Sequence, residues 1–191
     1  MELINTRRPD DAATGYSTIL RWPLSVGYRH RPRQGCTCGN PACPVPGAHP
    51  RPDSPVFSEP RHVVDELGSA PGAGLIAWTA GFDAVALPRP LGIAVMVALD
   101  QIAQVPSIVT ADLVVILVLP ATGRYAKADR DNIEVRSGPD GWIALPPSHG
   151  TRWDTLPWVP QTNTPTTLLH GADVSRRLET LSLGSPAEPA R

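Results

Sequence analysis

Residues 74–119 read GLIAWTAGFDAVALPRPLGIAVMVALDQIAQVPSIVTADLVVILVL, and this stretch decides the fold class. Two short apolar runs, 74–79 and 82–87, have the length and composition of β-strands around a tight turn. Apolar residues then recur along one helical face over 91–104. Residues 112–119 form a continuous, largely β-branched run, which is typical of a strand buried on both faces. This order of elements predicts an α/β (α+β) domain with a central sheet and flanking helices.

Patterns on either side of this stretch predict further elements around the sheet. The predicted elements are a helix over 12–22, a strand over 24–30, helical turns over 63–67, a β-hairpin of 133–136 with 142–145, a linker over 157–166 and a helix over 173–183.

Length and composition predict one folded domain. The 191 residues are 41% hydrophobic and 18% charged, which is enough to bury a single core. We expect a loose N-terminus over 1–11, the domain over 12–160, and a linker, short helix and disordered tail over 161–191. Inside the domain, residues 31–61 form a loop rich in Pro, Gly and Cys without a periodic pattern.

The charge distribution is more informative than the net charge. A net charge of −1 excludes binding of nucleic acid by bulk electrostatics. Residues 21–51, however, contain five arginines and no acidic residue. This segment is either a local basic surface or a solvated loop that happens to carry arginine.

Several features favour a cytoplasmic protein. The longest strongly apolar run, 113–119, is far shorter than the roughly 20 residues that span a bilayer. The N-terminal residues lack the apolar segment of a secretory signal. The three cysteines fall within eight residues of one another, whereas a disulfide framework would spread them along the chain.

The most specific local motif is GCTCGNPACPVPGAHP, residues 35–50. It spaces three cysteines and a histidine as C-x-C-x4-C-x5-H, through Cys36, Cys38, Cys43 and His49. Three thiolates and one imidazole complete a tetrahedral Zn²⁺ site without an open position, which is typical of a structural ion. The flanking glycines, Gly35 and Gly39, permit the tight turns that such a site needs.

One zinc ion would also explain how so long a proline-rich loop is ordered, because metal binding contributes folding free energy directly. Two alternatives are open from the sequence. The thiols of Cys36, Cys38 and Cys43 can be unpaired in a surface loop, or two of them can form a labile disulfide.

Three segments together resemble a known family. They are the Cys motif, TAGFDAVALP at 79–88, and IEVRSGPDGWIALPPSHG at 133–150 with a tryptophan after it. In this order they are similar to the N-terminal domain of bifunctional DNA primase/polymerases (prim-pol), most of all to its short, single-domain actinobacterial members. The resemblance covers residues 12–160. It implies an archaeo-eukaryotic-primase-like central sheet with a zinc-loop insertion, and a role connected with DNA replication.

The sequence departs from this family where its catalysis resides. The family's metal-binding D-x-D pair is replaced by Ala86 and Pro88, and Asp83 is expected to point to the opposite face of the strand. The family's catalytic histidine has no counterpart over 112–119, and Glu134 is the nearest match to its third acid. Two-metal phosphoryl transfer needs these carboxylates. The chain is therefore predicted to be inactive as a polymerase.

Several residues match positions near the family's nucleotide-binding surface. They are Arg136, Ser148 and His149. As an alternative, Arg136 pairs with Glu134 on the sheet surface. Three tryptophans, Trp142, Trp153 and Trp158, either stack on bases or close the core.

The predicted function is nucleotide or nucleic-acid binding, in an accessory role with DNA, nucleotides or a protein of replication or of a mobile element as partner. Two alternatives are a residually active primase or nucleotidyl transferase, and a protein-interaction module on a primase-like fold.

Overall fold

A computed structural model describes residues 4–127 and 130–183. Within these residues the chain forms four α-helices, one 3₁₀ helix and eleven strands, so the mixed α/β class is confirmed. No helix in this part of the chain is long and apolar enough to cross a membrane. The elements in chain order are α1 (Pro9–Thr18), β1 (Leu24–Arg31), β2 (Gly35–Cys36), α2 (Pro60–Ser69), β3 (Ala73–Trp78), β4 (Asp83–Pro88), α3 (Arg89–Asp100), β5 (Ser107–Val109), β6 (Leu113–Val118), the 3₁₀ helix (Gly123–Ala126), β7 (Glu134–Arg136), β8 (Trp142–Leu145), β9 (Arg152–Thr155), β10 (Trp158–Val159), β11 (Thr164–Pro165) and α4 (Gly171–Leu183).

The strands form two main antiparallel sheets instead of the single central sheet that was predicted. One sheet has the order β2-β1-β3-β8, and the other has the order β7-β4-β6-β5-β9. The run from β4 through α3, β5 and β6 to β7 resembles a ferredoxin-like βαββαβ unit, with the 3₁₀ helix where the second helix would be. Strands β10 and β11 form a separate small hairpin.

The predicted β-hairpin of 133–136 with 142–145 is wrong in its pairing, although both strands exist. Strand β7 pairs with β4, and β8 pairs with β3 in the other sheet. Likewise β3 and β4, which are neighbours in sequence, lie in different sheets. The chain passes between the two sheets twice here, in the β3–β4 and the β7–β8 connections. Thr79 joins these connections: its N–H donates to the Gly141 carbonyl at 2.9 Å and its hydroxyl donates to the Gly138 carbonyl at 2.8 Å. These hydrogen bonds hold the two connections between the sheets side by side.

Other differences concern short elements. The loop over 31–61 contains β2, and α2 begins at its end and runs for ten residues instead of one or two turns. The predicted linker over 157–166 contains the β10–β11 hairpin. Strands β5 and β9 were not predicted, because three or four residues are too few for an alternating pattern to stand out.

The core consists of two apolar clusters on opposite faces of β4. Ala84 and Ala86 belong to the cluster shared with the other sheet and with α1 and α2, whereas Val85 and Leu87 belong to the cluster under α3 and α4. Both faces of β4 and β6 are therefore buried, as the continuous apolar run over 112–119 predicts.

Both ends of the described chain take part in packing. Helix α4 buries Val174 and Leu178, so the packed part extends beyond residue 160. At the other end, Ile4 packs against the core within the segment predicted to be loose. The predicted disordered tail at 184–191 lies outside the described residues.

Tyr16 is the principal buried polar group between α1 and the second half of the chain. Its hydroxyl donates to the Pro146 carbonyl at 2.8 Å and accepts from the Trp153 indole N–H at 2.7 Å. Burial raises the pKa of Tyr16 well above its usual value, so the hydroxyl stays a donor.

We expect Tyr16→Phe to lower the free energy of unfolding by about 1–3 kcal/mol, because it leaves the buried Pro146 carbonyl and the half-buried Trp153 N–H without their partner. Urea denaturation measures the effect. Tyr125→Phe is the control, since Tyr125 is exposed. Removal of its hydroxyl should change the free energy of unfolding by less than about 0.5 kcal/mol. Equal stabilities of the two variants would contradict this role of Tyr16.

Candidate metal centre and adjoining cleft

The predicted ligand set comes together in the structure. The ligand atoms of Cys36, Cys38, Cys43 and His49 all lie within 4.8 Å of one another. The His49 Nε2 atom is 3.3 Å from the Cys36 sulfur and 3.4 Å from the Cys43 sulfur. These distances are close to the N···S edge of a zinc tetrahedron, which is about 3.5 Å. Across residues 4–127 and 130–183, this is the one group of three or more such side chains that could hold a metal ion.

The β1–β2 hairpin positions the first ligand. Cys36 lies opposite His30 in the antiparallel register of the hairpin. Gly35 and Gly39 both have φ of +81°, the left-handed conformation that the tight turns were predicted to need. The backbone N–H of Gly47 donates to the Cys36 sulfur at 3.3 Å. The first thiol is thus tied to the segment that carries the fourth ligand.

Strand β1 also supports His49. The backbone N–H of Tyr28 donates to the His49 carbonyl at 3.0 Å, and the two rings are 4.6 Å apart. A Cβ atom at Gly27 would lie 2.5 Å from that same carbonyl. Glycine at this position therefore lets residues 35–50, the Cys loop, lie directly on β1. This contact fixes His49 relative to the β1–β2 hairpin.

The thiols differ in acidity. Burial alone would raise the pKa of Cys36, but hydrogen bonds from the backbone N–H groups of Cys38 and Gly47 and from the side chains around it lower it to about 6. Burial, and then the neighbouring Cys38 and Cys36 thiols, raise the pKa of Cys43 to about 11, although a hydrogen bond with the Val45 backbone lowers it in part. A metal cation bound among the sulfurs would lower the pKa of Cys43 instead, since it favours the thiolate.

No disulfide joins Cys36, Cys38 or Cys43 in the structure. Three sulfurs and one imidazole nitrogen leave no open coordination position. This is the donor set of structural zinc sites.

A shallow cleft of about 200 Å³ lies beside the Cys loop. One wall comes from the Cys loop, through Val45 and Ala48. The opposite wall comes from Thr110, between β5 and β6, and from the turn 149–151, between β8 and β9. Most of the lining is apolar, and its polar side chains are those of Thr110, Asp112, His149 and Thr151. Asp112 contributes a carboxylate to the cleft.

His149 connects this cleft to the β1–β2 hairpin, which carries Arg31 and Arg33 and is called the basic hairpin below. Its ring stacks on His30 with 3.7 Å between centroids and 17° between planes. Burial, and then the charge of His30, lower the pKa of His149. From His30 the chain leads directly to Arg31 and Arg33, both exposed at the hairpin end. His149 therefore lines the cleft and also contacts the strand that ends in Arg31.

The other two predicted binding residues have internal partners. The Ser148 hydroxyl is buried, accepts from the Leu75 N–H at 2.8 Å and donates to the Leu75 carbonyl at 3.0 Å. The Arg136 guanidinium donates to both carboxylate oxygens of Glu134, at 2.8 and 3.0 Å, and lies 5.0 Å from the centre of the Trp142 ring. Ser148 thus positions the turn that carries His149.

The hydrogen bonds from Arg136 hold the pKa of Glu134 below its usual range. The acid that resembles the family's third carboxylate is therefore already neutralised by an arginine. Glu134 is the direct register partner of Ala86 on the neighbouring strand.

The face of β4 that would carry the family's acid pair is apolar. Ala86 is 1% exposed and lies opposite Val115, while Pro88 lies opposite Leu113. Asp83 is on the other face of the strand, where its carboxylate accepts from the Gly123 N–H at 2.7 Å. It holds the 3₁₀ helix and does not approach Ala86.

The tryptophans divide between the core and the sheet edge. Trp158 is buried, Trp153 packs on the core through Tyr16, and Trp142 is half-buried under Arg136. The core interpretation therefore describes the first two.

Sequence reasoning missed the pairing of His30 with His149. Its one signal was the acid-free, arginine-rich segment over 21–51, which pointed to the hairpin but not to what lies against it.

Comparison with known proteins gives no match: no protein family matches the sequence, and no curated protein or solved structure is significantly similar to it. The relation to the prim-pol family remains a prediction from the motifs.

Proposed function

We propose that this chain is a zinc-stabilised, prim-pol-like domain that binds single-stranded nucleic acid or nucleotides in an accessory role and lacks polymerase chemistry. The observation that carries the proposal is the His30–His149 stack, which joins the basic hairpin to the apolar cleft. A nucleic-acid strand needs both surfaces, because its phosphates require positive charge and its bases require a flat apolar contact.

Cys36, Cys38, Cys43 and His49 would hold the zinc ion. The ion would supply no chemistry beyond cross-linking, since the four side chains fill its coordination sphere. It would fasten the β1–β2 hairpin to the loop that forms one wall of the cleft. The metal centre and the binding surface are therefore parts of one proposal.

On the hairpin, Arg31 and Arg33 would contact phosphates. Arg33 has no ion-pair partner within the described residues, and Arg31 makes one long hydrogen bond of 3.4 Å to Gln34. In the cleft, His149 would stack on a base, since its lowered pKa favours the neutral ring at neutral pH. The Thr151 hydroxyl donates to the Ser148 carbonyl at 2.8 Å, so towards a base edge it would act only as an acceptor.

The apolar face around Ala86 supports the absence of polymerase chemistry. Two-metal catalysis requires several carboxylates aimed at one point. Here Ala86, Val115 and the arginine-paired Glu134 meet instead.

The double variant Arg31→Ala/Arg33→Ala tests the binding surface. We expect it to weaken binding of a fluorescently labelled single-stranded oligonucleotide at least tenfold at 50 mM salt, and to reduce the salt dependence, because two phosphate contacts are lost. Fluorescence anisotropy measures both. Arg7→Ala/Arg8→Ala is the matched control, since it removes the same charge from outside the hairpin. Equal weakening by both double variants would refute a specific hairpin surface.

Glu134, retained beside Ala86, is the observation that favours a residually active nucleotidyl transferase as second candidate. Primer extension with Mn²⁺ distinguishes the two. Template-dependent product that disappears in Glu134→Gln would support the second candidate and overturn the inactive assignment. Folded, zinc-containing protein that binds no nucleic acid would favour the protein-interaction module instead.

A further inference from the structure

Helix α3 carries an apolar stripe that the rest of the chain does not cover. Its inner side packs Val95 and Leu99 into the cluster shared with β6 and α4. Its outer side leaves Ile93 41% exposed and Val97 59% exposed. Residues 90–99 contain no charged side chain. An uncharged, exposed stripe on a surface helix marks a contact surface.

The two ends of this stripe are charged and exposed. Arg89 precedes Ile93 by four residues, and Asp100 follows Val97 by three, so all four side chains lie along one helical face. Within the described part of the chain, neither charged residue forms an ion pair. Arg89 makes one long hydrogen bond of 3.3 Å, to the Ala111 carbonyl.

Both charges have the wrong sign for their own helix. The N-terminus of a helix carries partial positive charge and its C-terminus partial negative charge, so Arg89 and Asp100 are each repelled by the dipole. The isolated helix therefore gives no electrostatic reason for this arrangement. An antiparallel second helix does, because it brings an acid to the N-terminus and a base to the C-terminus.

We infer that α3 is the contact surface of a symmetric homodimer, in which α3 of one copy packs antiparallel on α3 of the other about a two-fold axis. In this register Ile93 of each copy meets Val97 of the other. Arg89 of each copy meets Asp100 of the other, which gives two equivalent ion pairs at the rim. Such a surface is self-complementary, as a two-fold interface must be.

The size of the surface predicts a reversible dimer. A helix of 12 residues is about 18 Å long, so an α3 pair alone covers less than the roughly 800 Å² per partner of a standard interface. Ile102, 54% exposed just beyond the helix, extends the apolar area. We expect a dissociation constant in the micromolar range. The inference does not depend on nucleic-acid binding.

Sedimentation velocity from about 1 to 100 μM tests the inference. We expect the mass to rise from that of the 20.4 kDa monomer towards twice that value across this range. Val97→Arg should stay monomeric at 100 μM, whereas the control Val56→Arg, at an exposed site in the Cys-loop region, should dimerise like the unmodified protein. Circular dichroism verifies that each variant is folded.

Charge exchange tests the antiparallel register. Arg89→Asp and Asp100→Arg should each weaken the dimer at least tenfold, and the variant with both changes should recover most of the affinity. A protein that is monomeric at 100 μM, or a dimer that persists in Val97→Arg, would overturn the interface. A dimer that is disrupted by Val97→Arg but unaffected by the single charge changes would overturn the register.

Discussion

Cys43→Ser is expected to remove the zinc ion and to lower the free energy of unfolding by on the order of 3 kcal/mol. Cys43 is the candidate ligand furthest from the β1–β2 hairpin in sequence among the cysteines, and a zinc ion would connect it to Cys36 and His49. Without the ion, the loop over 31–61 loses its cross-link. Its ordering still costs chain entropy, and metal binding no longer offsets that cost. For a domain of this size the melting temperature should fall by roughly 10 °C.

Metal analysis and thermal unfolding, on protein purified without chelator, measure the two effects together. The control is Gln34→Ser, an exposed change in the same hairpin that touches no ligand, and it should keep one equivalent of zinc. Less than about a tenth of an equivalent of zinc in the unmodified protein would contradict the metal centre. So would a Cys43→Ser protein as stable as the control.

Ala86→Asp is expected to destabilise the fold by about 3–5 kcal/mol at neutral pH, because it buries an unpaired carboxyl group. The side chain at this position is buried in the apolar cluster between the two sheets, opposite Val115 and beside the carboxylate of Glu134. A carboxyl group introduced there loses its hydration and meets a like charge, and both effects raise its pKa in the folded state.

This raised pKa fixes the sign of the pH dependence. The folded protein would hold the extra proton more tightly than the unfolded chain, so the loss of stability grows as pH rises through the folded-state pKa. Urea denaturation at pH 5 and pH 8 should therefore show the larger deficit at pH 8. Ala86→Asn is the matched control, because it has similar size and polarity but no titration. An Ala86→Asp protein as stable as the unmodified chain, and able to bind Mn²⁺, would mean that this face is open to a metal site after all.

The clustering of Cys36, Cys38, Cys43 and His49 could be predicted from the sequence because these residues are local. All four lie within fourteen residues, and their spacing alone determines which atoms can converge. The absence of a carboxylate pair on the face of β4 that carries Ala86 was equally visible, because strand alternation decides which residues share that face. Glu134 is the register partner of Ala86, and its match to the third acid of the prim-pol family stays a prediction.

The sheet pairing could not be predicted, because it depends on contacts far apart in the chain. Strands β3 and β4 are both buried on both faces, and nothing in their own residues says which neighbours each one takes. Thr79 joins the β3–β4 connection to the β7–β8 connection through hydrogen bonds to a turn some sixty residues later. The stack of His30 on His149 likewise depends on the final arrangement of the two sheets.

The most direct test of the proposed function is the binding of the unmodified, zinc-loaded protein to a labelled single-stranded oligonucleotide, measured by anisotropy at 50 and 200 mM salt. The two phosphate contacts from Arg31 and Arg33 predict clear binding at 50 mM salt and about sevenfold weaker binding at 200 mM salt. Absence of binding at 50 mM salt by folded protein that carries one equivalent of zinc would contradict the account.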